Sequence, residues 1–171
     1  MTRQKLVEIA KSYILKRKTT PEEWVGTNTI HFPDFAGYRA LVLVCRFDYR
    51  FVESLSSERW ENWTPAILGF PNTSGAVSED ENLQNLLIAQ AYQQAPEALI
   101  AVLRTLIDSE SVDSDRLFIL RRVEGCVDSP MCSELVPKLS DGSLNAACAG
   151  ELARFLLTEH SQIFVCLNGE T

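Results

Sequence analysis

The chain has 171 residues, 46% of them hydrophobic and 23% charged, with a formal net charge of −7. That balance suits a folded globular chain rather than a disordered one, and the length allows one good core or a run of about four helical pairs. It does not suit a membrane span: the longest apolar runs, Ala40 to Cys45 and Ala98 to Leu103, are six residues each, where about 20 are needed.

The charge is unevenly spread. Residues 1 to 20 hold six basic side chains (Arg3, Lys5, Lys11, Lys16, Arg17, Lys18) against Glu8 alone, a net +5, so the remaining residues carry −12. A phosphate-neutralising surface needs clustered Lys and Arg, so nucleic acid is disfavoured as a partner beyond the first helix. The N-terminus does not read as a secretory signal, because its cations are dispersed through a helical pattern. Five cysteines, an odd number, with Cys45 and Cys148 inside apolar stripes, suggest free thiols and a cytoplasmic, reducing setting.

Residues 3 to 18 place Leu6, Val7, Ile9, Ala10, Tyr13 and Ile14 near the spacing of an amphipathic helix. Its basic end, Lys16-Arg17-Lys18, suits the negative end of the helix dipole. Thr20-Pro21-Glu22-Glu23 reads as a capping box, a Thr cap with Pro at the first helical position and Glu at the third. After Gly26 an irregular connector, residues 27–32, leads to a helix started by Pro33-Asp34, with Phe35, Tyr38, Leu41, Val42 and Cys45 turned inward. Its all-round apolar run Ala40 to Cys45 predicts cover on more than one face.

Residues 48–55 read as a short helix or a loop. Ser56-Ser57 opens a helix through Phe70, bent at Pro65, in which Trp60 and Trp63 share one face and seal a helix contact. The segment 69–78 is dense in Gly, Pro, Asn and Ser and reads as a flexible loop. Ser78 to Glu81 forms a second capping box for a helix to about Ala95, and Pro96 starts another at once, giving a two-helix hairpin. Further helices are expected near 114–125, entered through Asp113 to Asp115, near 129–139 from Asp128, and near 143–159 from Ser143. The apolar tail Ile163 to Leu167 should seek burial. Helices thus dominate, and the fold class is all-α: antiparallel helix pairs in one domain spanning 1–171, arranged as a HEAT-like α-solenoid or, alternatively, an irregular helical bundle.

Chemistry is thinly signalled. Cys126-x5-Cys132 lacks the second close pair of a zinc site, and there is no phosphate-binding glycine loop, so neither metal nor cofactor is expected. The only bases are His31 and His160. His31 stands near Asp34, which keeps a small hydrolase or transferase open as an alternative. His160 follows Glu159 at an expected helix end, where it would complement the dipole. The acidic runs Glu79-Asp80-Glu81 and Asp113-x-Asp115 are expected at helix N-termini. No catalytic residue is assigned. Trp24, in its short capped turn, is the tryptophan expected to be partly exposed. With His31 it is the candidate for protein binding.

The phrases Pro21-Glu22-Glu23-Trp24-Val25-Gly26-Thr27-Asn28-Thr29-Ile30, Phe35-Ala36-Gly37-Tyr38-Arg39-Ala40-Leu41 and Phe118-Ile119-Leu120-Arg121 resemble the helical-repeat region of bacterial NACHT-type STAND NTPases, many of which serve in antiviral defence. The likeness is strongest from Thr20 to Pro71 and extends more weakly to His160. In that family an effector and an NTPase precede a long helical array that recognises a ligand, often a phage protein. The resemblance implies a non-enzymatic recognition scaffold with a protein partner, as a fragment or a stand-alone relative of such an array. The chain carries no Walker motif, so the family's ATPase activity does not transfer, and no catalytic residue does either. A cut array would leave the stripe Leu6, Ile9, Ala10, Tyr13 or the tail Ile163 to Leu167 exposed or available for self-association. Binding of nucleic acid or an anionic membrane surface through the basic first helix is the remaining alternative.

Overall fold

Leu6, Val7, Ala10 and Ile14 recur at helical spacing and begin α1 (Arg3–Lys16), whose first turn is capped by the Thr2 side chain accepting the Lys5 amide at 3.4 Å. The computed structural model describes residues 2–27, 29–70 and 79–168, and the side chains within them except at 79, 80 and 159–168. Every regular element among these residues is helical. After α1 come a 3-10 turn (Pro21–Glu23), α2 (Phe32–Phe47), α3 (Tyr49–Glu53), α4 (Ser57–Gly69), α5 (Glu79–Gln94) and α6 (Pro96–Asp113). Then follow α7 (Leu120–Val123) with the 3-10 turn Glu124–Cys126, α8 (Ser129–Leu135) with the 3-10 turn Val136–Leu139, and α9 (Ala146–Asn168). Where the sequence reads as one domain, the chain divides into two compact units, Met1–Val102 and Leu103–Thr171.

In the first unit the tightest packing is between α1 and α2 and between α4 and α5, and α2 also meets α4 and α5. The apolar run of α2 explains this centrality: Leu41, Val42, Val44 and Cys45 are all buried, as a helix covered on several faces requires. Trp63 of α4 is the pillar. Its indole N–H donates to the Ile14 carbonyl at 3.0 Å, and its ring lies over Gly37, where a Cβ would fall 2.0 Å from the ring. Only a glycine lets α2 and α4 approach so closely. Trp60 and Trp63 are both buried, as their shared helical face predicts. Pro65 stands inside α4 without ending it.

In α1 the buried face is Val7, Ala10 and Ile14. The expected stripe is therefore offset: Leu6 and Ile9 lie beside the buried face and stay exposed, at 39% and 50%. The loop expected at 69–78 and the Ser78 cap lie outside the described residues from Pro71 on, while Gly69 closes α4 and Phe70 is buried. Gln84 of α5 is buried and donates to the carbonyls of Ile67 (3.2 Å) and Phe70 (2.9 Å), two of the acceptors that the end of α4 leaves unpaired.

The second unit gathers Leu103, Ile107, Ile119, Val123, Met131, Leu135, Leu152 and other apolar side chains into its own core. Here the expected 114–125 helix shrinks to α7. Two carboxylates explain the loss: Glu151 accepts the Leu117 amide at 2.7 Å and Glu110 the Ile119 amide at 3.0 Å, so side chains take donors that a helix would have used. Asp113 and Asp115 do not start a helix either. Asp113 ends α6, and the hydroxyl of Ser114 makes a local turn with Arg116. Asp128 does cap α8, accepting the Met131 amide at 2.8 Å, and Pro137 then tightens the chain to a 3-10 turn because it lacks a donor. The cap of α9 is Asn145, accepting the Cys148 amide at 2.9 Å, rather than Ser143. α9 continues to Asn168, so His160 lies inside it and the 161–168 tail is helical: between Glu151 and Asn168 the sequence has no Pro or Gly to end it. The Ile163 to Leu167 side chains lie outside the described set.

Candidate functional site

The end of α1, the turn after it and the first turn of α2 converge on one carboxylate. Asp34, third residue of α2, is 0% exposed. Its Oδ2 accepts the Thr20 amide at 3.0 Å and the Trp24 indole N–H at 2.9 Å. The Arg17 Nη2 stands 3.7 Å from Oδ1, and the His31 Nδ1 stands 3.2 Å from Oδ2. A buried carboxylate needs compensating donors or charge, and these four groups supply both. Arg17 Nε, Thr20 Oγ1, His31 Nδ1 and Asp34 Oδ1 are buried without a hydrogen bond of their own, so part of the compensation is through-space charge.

The cluster overturns two expectations. Thr20 to Glu23 does not form a capping box: the Thr20 side chain caps nothing, and the amide that Glu23 should have accepted is taken by Asp34. Glu23 turns instead to His31, with Oε2 at 3.5 Å from Nε2. Nor is Trp24 partly exposed. It is only 4% accessible and stacks on Phe70 with ring centroids 4.3 Å apart and planes 11° from parallel. An indole N–H in the interior must find an acceptor, and Asp34 provides one, so the ring can enter the core.

Neighbouring bonds lock the same corner. Thr19 donates its amide to Asn62 Oδ1 at 3.0 Å and its hydroxyl to the Asn62 carbonyl at 2.6 Å, while the Asn62 side chain donates to the Arg17 carbonyl at 3.3 Å. Tyr13 donates its hydroxyl to the Pro33 carbonyl at 2.9 Å. Carbonyls at the end of α1 are thereby satisfied by α4, Asn62 donating to that of Arg17 and Trp63 to that of Ile14.

For catalysis the pairing of Asp34 with His31 is suggestive only on one side of the ring. In nucleophilic catalysis the far nitrogen of such a histidine faces a hydroxyl or thiol; here it faces the carboxylate of Glu23. The thiols are poorly prepared as well. Burial pushes Cys45 up to about 11, and burial reinforced by Asp128 pushes Cys126 up to about 11, far from thiolate at neutral pH. Cys126 is half-buried and Cys132 is buried in α8. Among the described residues no group of three or more His, Cys, Asp or Glu is placed to hold a metal ion.

The outer surface of α1 has a different character. An open cavity of about 400 Å³ is lined by Ile9, Ser12, Tyr13, Lys16 and Arg17, and Leu6 lies a turn away. Lys5, Lys16 and Lys18 are exposed. Lys11, by contrast, is spent on Glu8 and Asp48 at 2.7 Å each, and Arg3 lies over the Phe47 ring at 5.0 Å. Phe32, just before Pro33, is 76% exposed.

The second unit holds its own polar cluster. Lys138 reaches Asp108 at 2.6 Å and Asp141 at 3.2 Å. Burial pulls its ammonium down, but the hydrogen bonds it donates to the two carboxylates outweigh this and hold it above the ordinary lysine value. Hydrogen bonds from Ser143 bring Asp141 down to about 2. Glu110 shifts the other way, raised chiefly by burial. Arg104 bonds both the carbonyl and the carboxylate of Glu134.

Sequence reasoning placed His31 beside Asp34 and missed what Asp34 does. It read Arg17 as a dipole partner and did not single out Asn62 or Gln84. A signal existed: an acid one helical turn from a histidine, preceded by a tryptophan in a tight turn. Among the described residues no helix is long and apolar enough to cross a membrane. Comparison with protein-family models, curated proteins and solved structures finds no match.

Proposed function

We propose that this chain is a non-enzymatic helical scaffold for protein recognition, related to the ligand-reading helical arrays of the NACHT-type STAND NTPases that its sequence resembles. The observation that carries the reading is the exposed apolar stripe of α1, Leu6 and Ile9 beside the cavity at Tyr13. α1 is held firmly by α2 and by the Asn62 and Trp63 bonds, so the stripe is presented by a rigid element. Exposed apolar side chains grouped on a rigid surface mark interaction sites. The stacked pairs α1–α2 and α4–α5 support a HEAT-like repeat organisation in this unit. The four cysteines whose side chains are described are free thiols, which supports a reducing, cytoplasmic setting.

The His31 hydrolase alternative has less support, because Glu23 occupies the place of the nucleophile and both Trp24 and Asp34 are turned inward. The test is co-purification from the native host. A protein partner retained by the wild-type chain and lost on Leu6→Asp with Ile9→Asp is the expected result. Turnover on a hydrolase or transferase substrate panel that disappears on His31→Ala or Cys126→Ala would overturn the reading.

A further inference from the structure

We infer that the α1 surface receives an acidic amphipathic helix, a partner segment whose apolar anchors are flanked by carboxylates. The inference rests on the recognition reading and specifies its partner. Going round α1, Val7, Ala10 and Ile14 face the core. Leu6, Ile9 and Tyr13 form the next stripe, and Lys5 and Lys16 form its outer edge. From Leu6 to Lys16 this stripe runs about 15 Å, at about 1.5 Å per residue, enough for roughly three turns of a partner helix with anchors at i, i+3 or i+4, and i+7. The cavity between Ile9 and Tyr13 can take one such anchor.

The charge pattern selects the partner. Among the described residues Lys5, Lys16 and Lys18 make no ion pair, while the other cations of residues 1 to 20 are engaged on Glu8, Asp48, Asp34 or the Phe47 ring. Unspent ammonium groups beside an apolar stripe complement carboxylates beside apolar anchors. An extended polyanion fits less well. The remaining residues carry −12, which repels a nucleic acid or an anionic bilayer but costs a short peptide with few charges far less.

The experiment uses the full chain and a labelled synthetic peptide of about 18 residues, helical, with leucines at i, i+3, i+4 and i+7 flanked by glutamates, read by fluorescence anisotropy. A matched peptide carries lysine in place of glutamate. The expected result is binding of the glutamate peptide, weakening with salt, with little binding of the lysine peptide. Ile9→Asp should weaken it by on the order of tenfold or more, and the pair Lys5→Glu with Lys16→Glu by on the order of tenfold while favouring the lysine peptide. All three substituted positions are exposed, and circular dichroism checks that the variants stay folded. Equal binding of both peptides, or a dimer seen by light scattering and dissolved by Ile9→Asp, overturns the acidic partner and leaves the recognition reading standing. No binding of either peptide, or binding instead of anionic vesicles or single-stranded RNA lost in the Lys5→Glu, Lys16→Glu variant, overturns it too. The recognition reading itself falls only to the turnover result above.

Discussion

The Asp34 cluster of the first unit and the Lys138 cluster of the second each set carboxylate against cation, at 3.7 Å from Arg17 in one and 2.6 Å from Asp108 in the other. The shorter contact is the less consequential. Asp34 is fully buried and holds a backbone amide, an indole and two basic side chains together. Asp108 and Asp141 keep 41% and 39% of their side-chain surface exposed, so water competes for them and screens them. Burial, rather than distance, decides how much of the structure depends on a charge.

The strongest test of that contrast is Asp34→Ala. Removing one partner of a buried charged network costs about 3–5 kcal/mol, read as a lower urea midpoint, and should release Trp24 into solvent with a red shift of its fluorescence. Asp34→Asn keeps an acceptor for Trp24 and should fall between that variant and wild type. If Asp34→Ala costs no more than a surface change, the cluster is not the keystone of its unit.

Packing gives a second contrast. Gly37→Ala drives a Cβ into the Trp63 ring and should cost about 1–3 kcal/mol despite alanine's better helix propensity. Gly150→Ala, in exposed α9 backbone where nothing lies within 4 Å of a Cβ, should instead stabilise by up to about 1 kcal/mol. Thermal or urea unfolding of both variants reads the sign, and two changes of the same sign would contradict the packing described for α2 and α4.

Lys138→Met is the surface counterpart of the Asp34 substitutions. With two half-exposed partners it should cost about 1 kcal/mol or less, and less still in high salt. A loss as large as that of Asp34→Ala would break the comparison outright.

The smallest effects are those of pH, and within the second unit they should differ in sign. Asp141 sits at about 2, below the ordinary aspartate value of 3.8, so its contribution is complete above 3.8 and is lost as pH falls toward about 2. Glu110 is raised from 4.5 by burial, so the folded state loses stability as pH rises through and above that value. Asp141→Asn should therefore differ from wild type above pH 3.8 and converge with it in stronger acid. Glu110→Gln should gain on wild type as pH increases from 4.5. Unfolding midpoints measured across that range check both.

Much of the helical content was legible from the sequence because it depends on local rules. Val7, Ala10 and Ile14 repeat at helical spacing, Pro33 and Asp128 mark starts, and the apolar run of α2 announces a central helix. Trp60 and Trp63, three residues apart, could only face the same way. What the sequence could not settle were competitions between distant groups. Whether Thr20 caps a turn depends on Asp34, 14 residues away, reaching its amide first. Whether residues 114–125 coil depends on Glu151, 34 residues from Leu117, taking that amide. Trp24 is inside only because an acceptor and Phe70 meet it there. Local spacing determines which segments become helices; which donor wins a given acceptor, and hence which side chains remain on the surface, is decided only when the helices have packed.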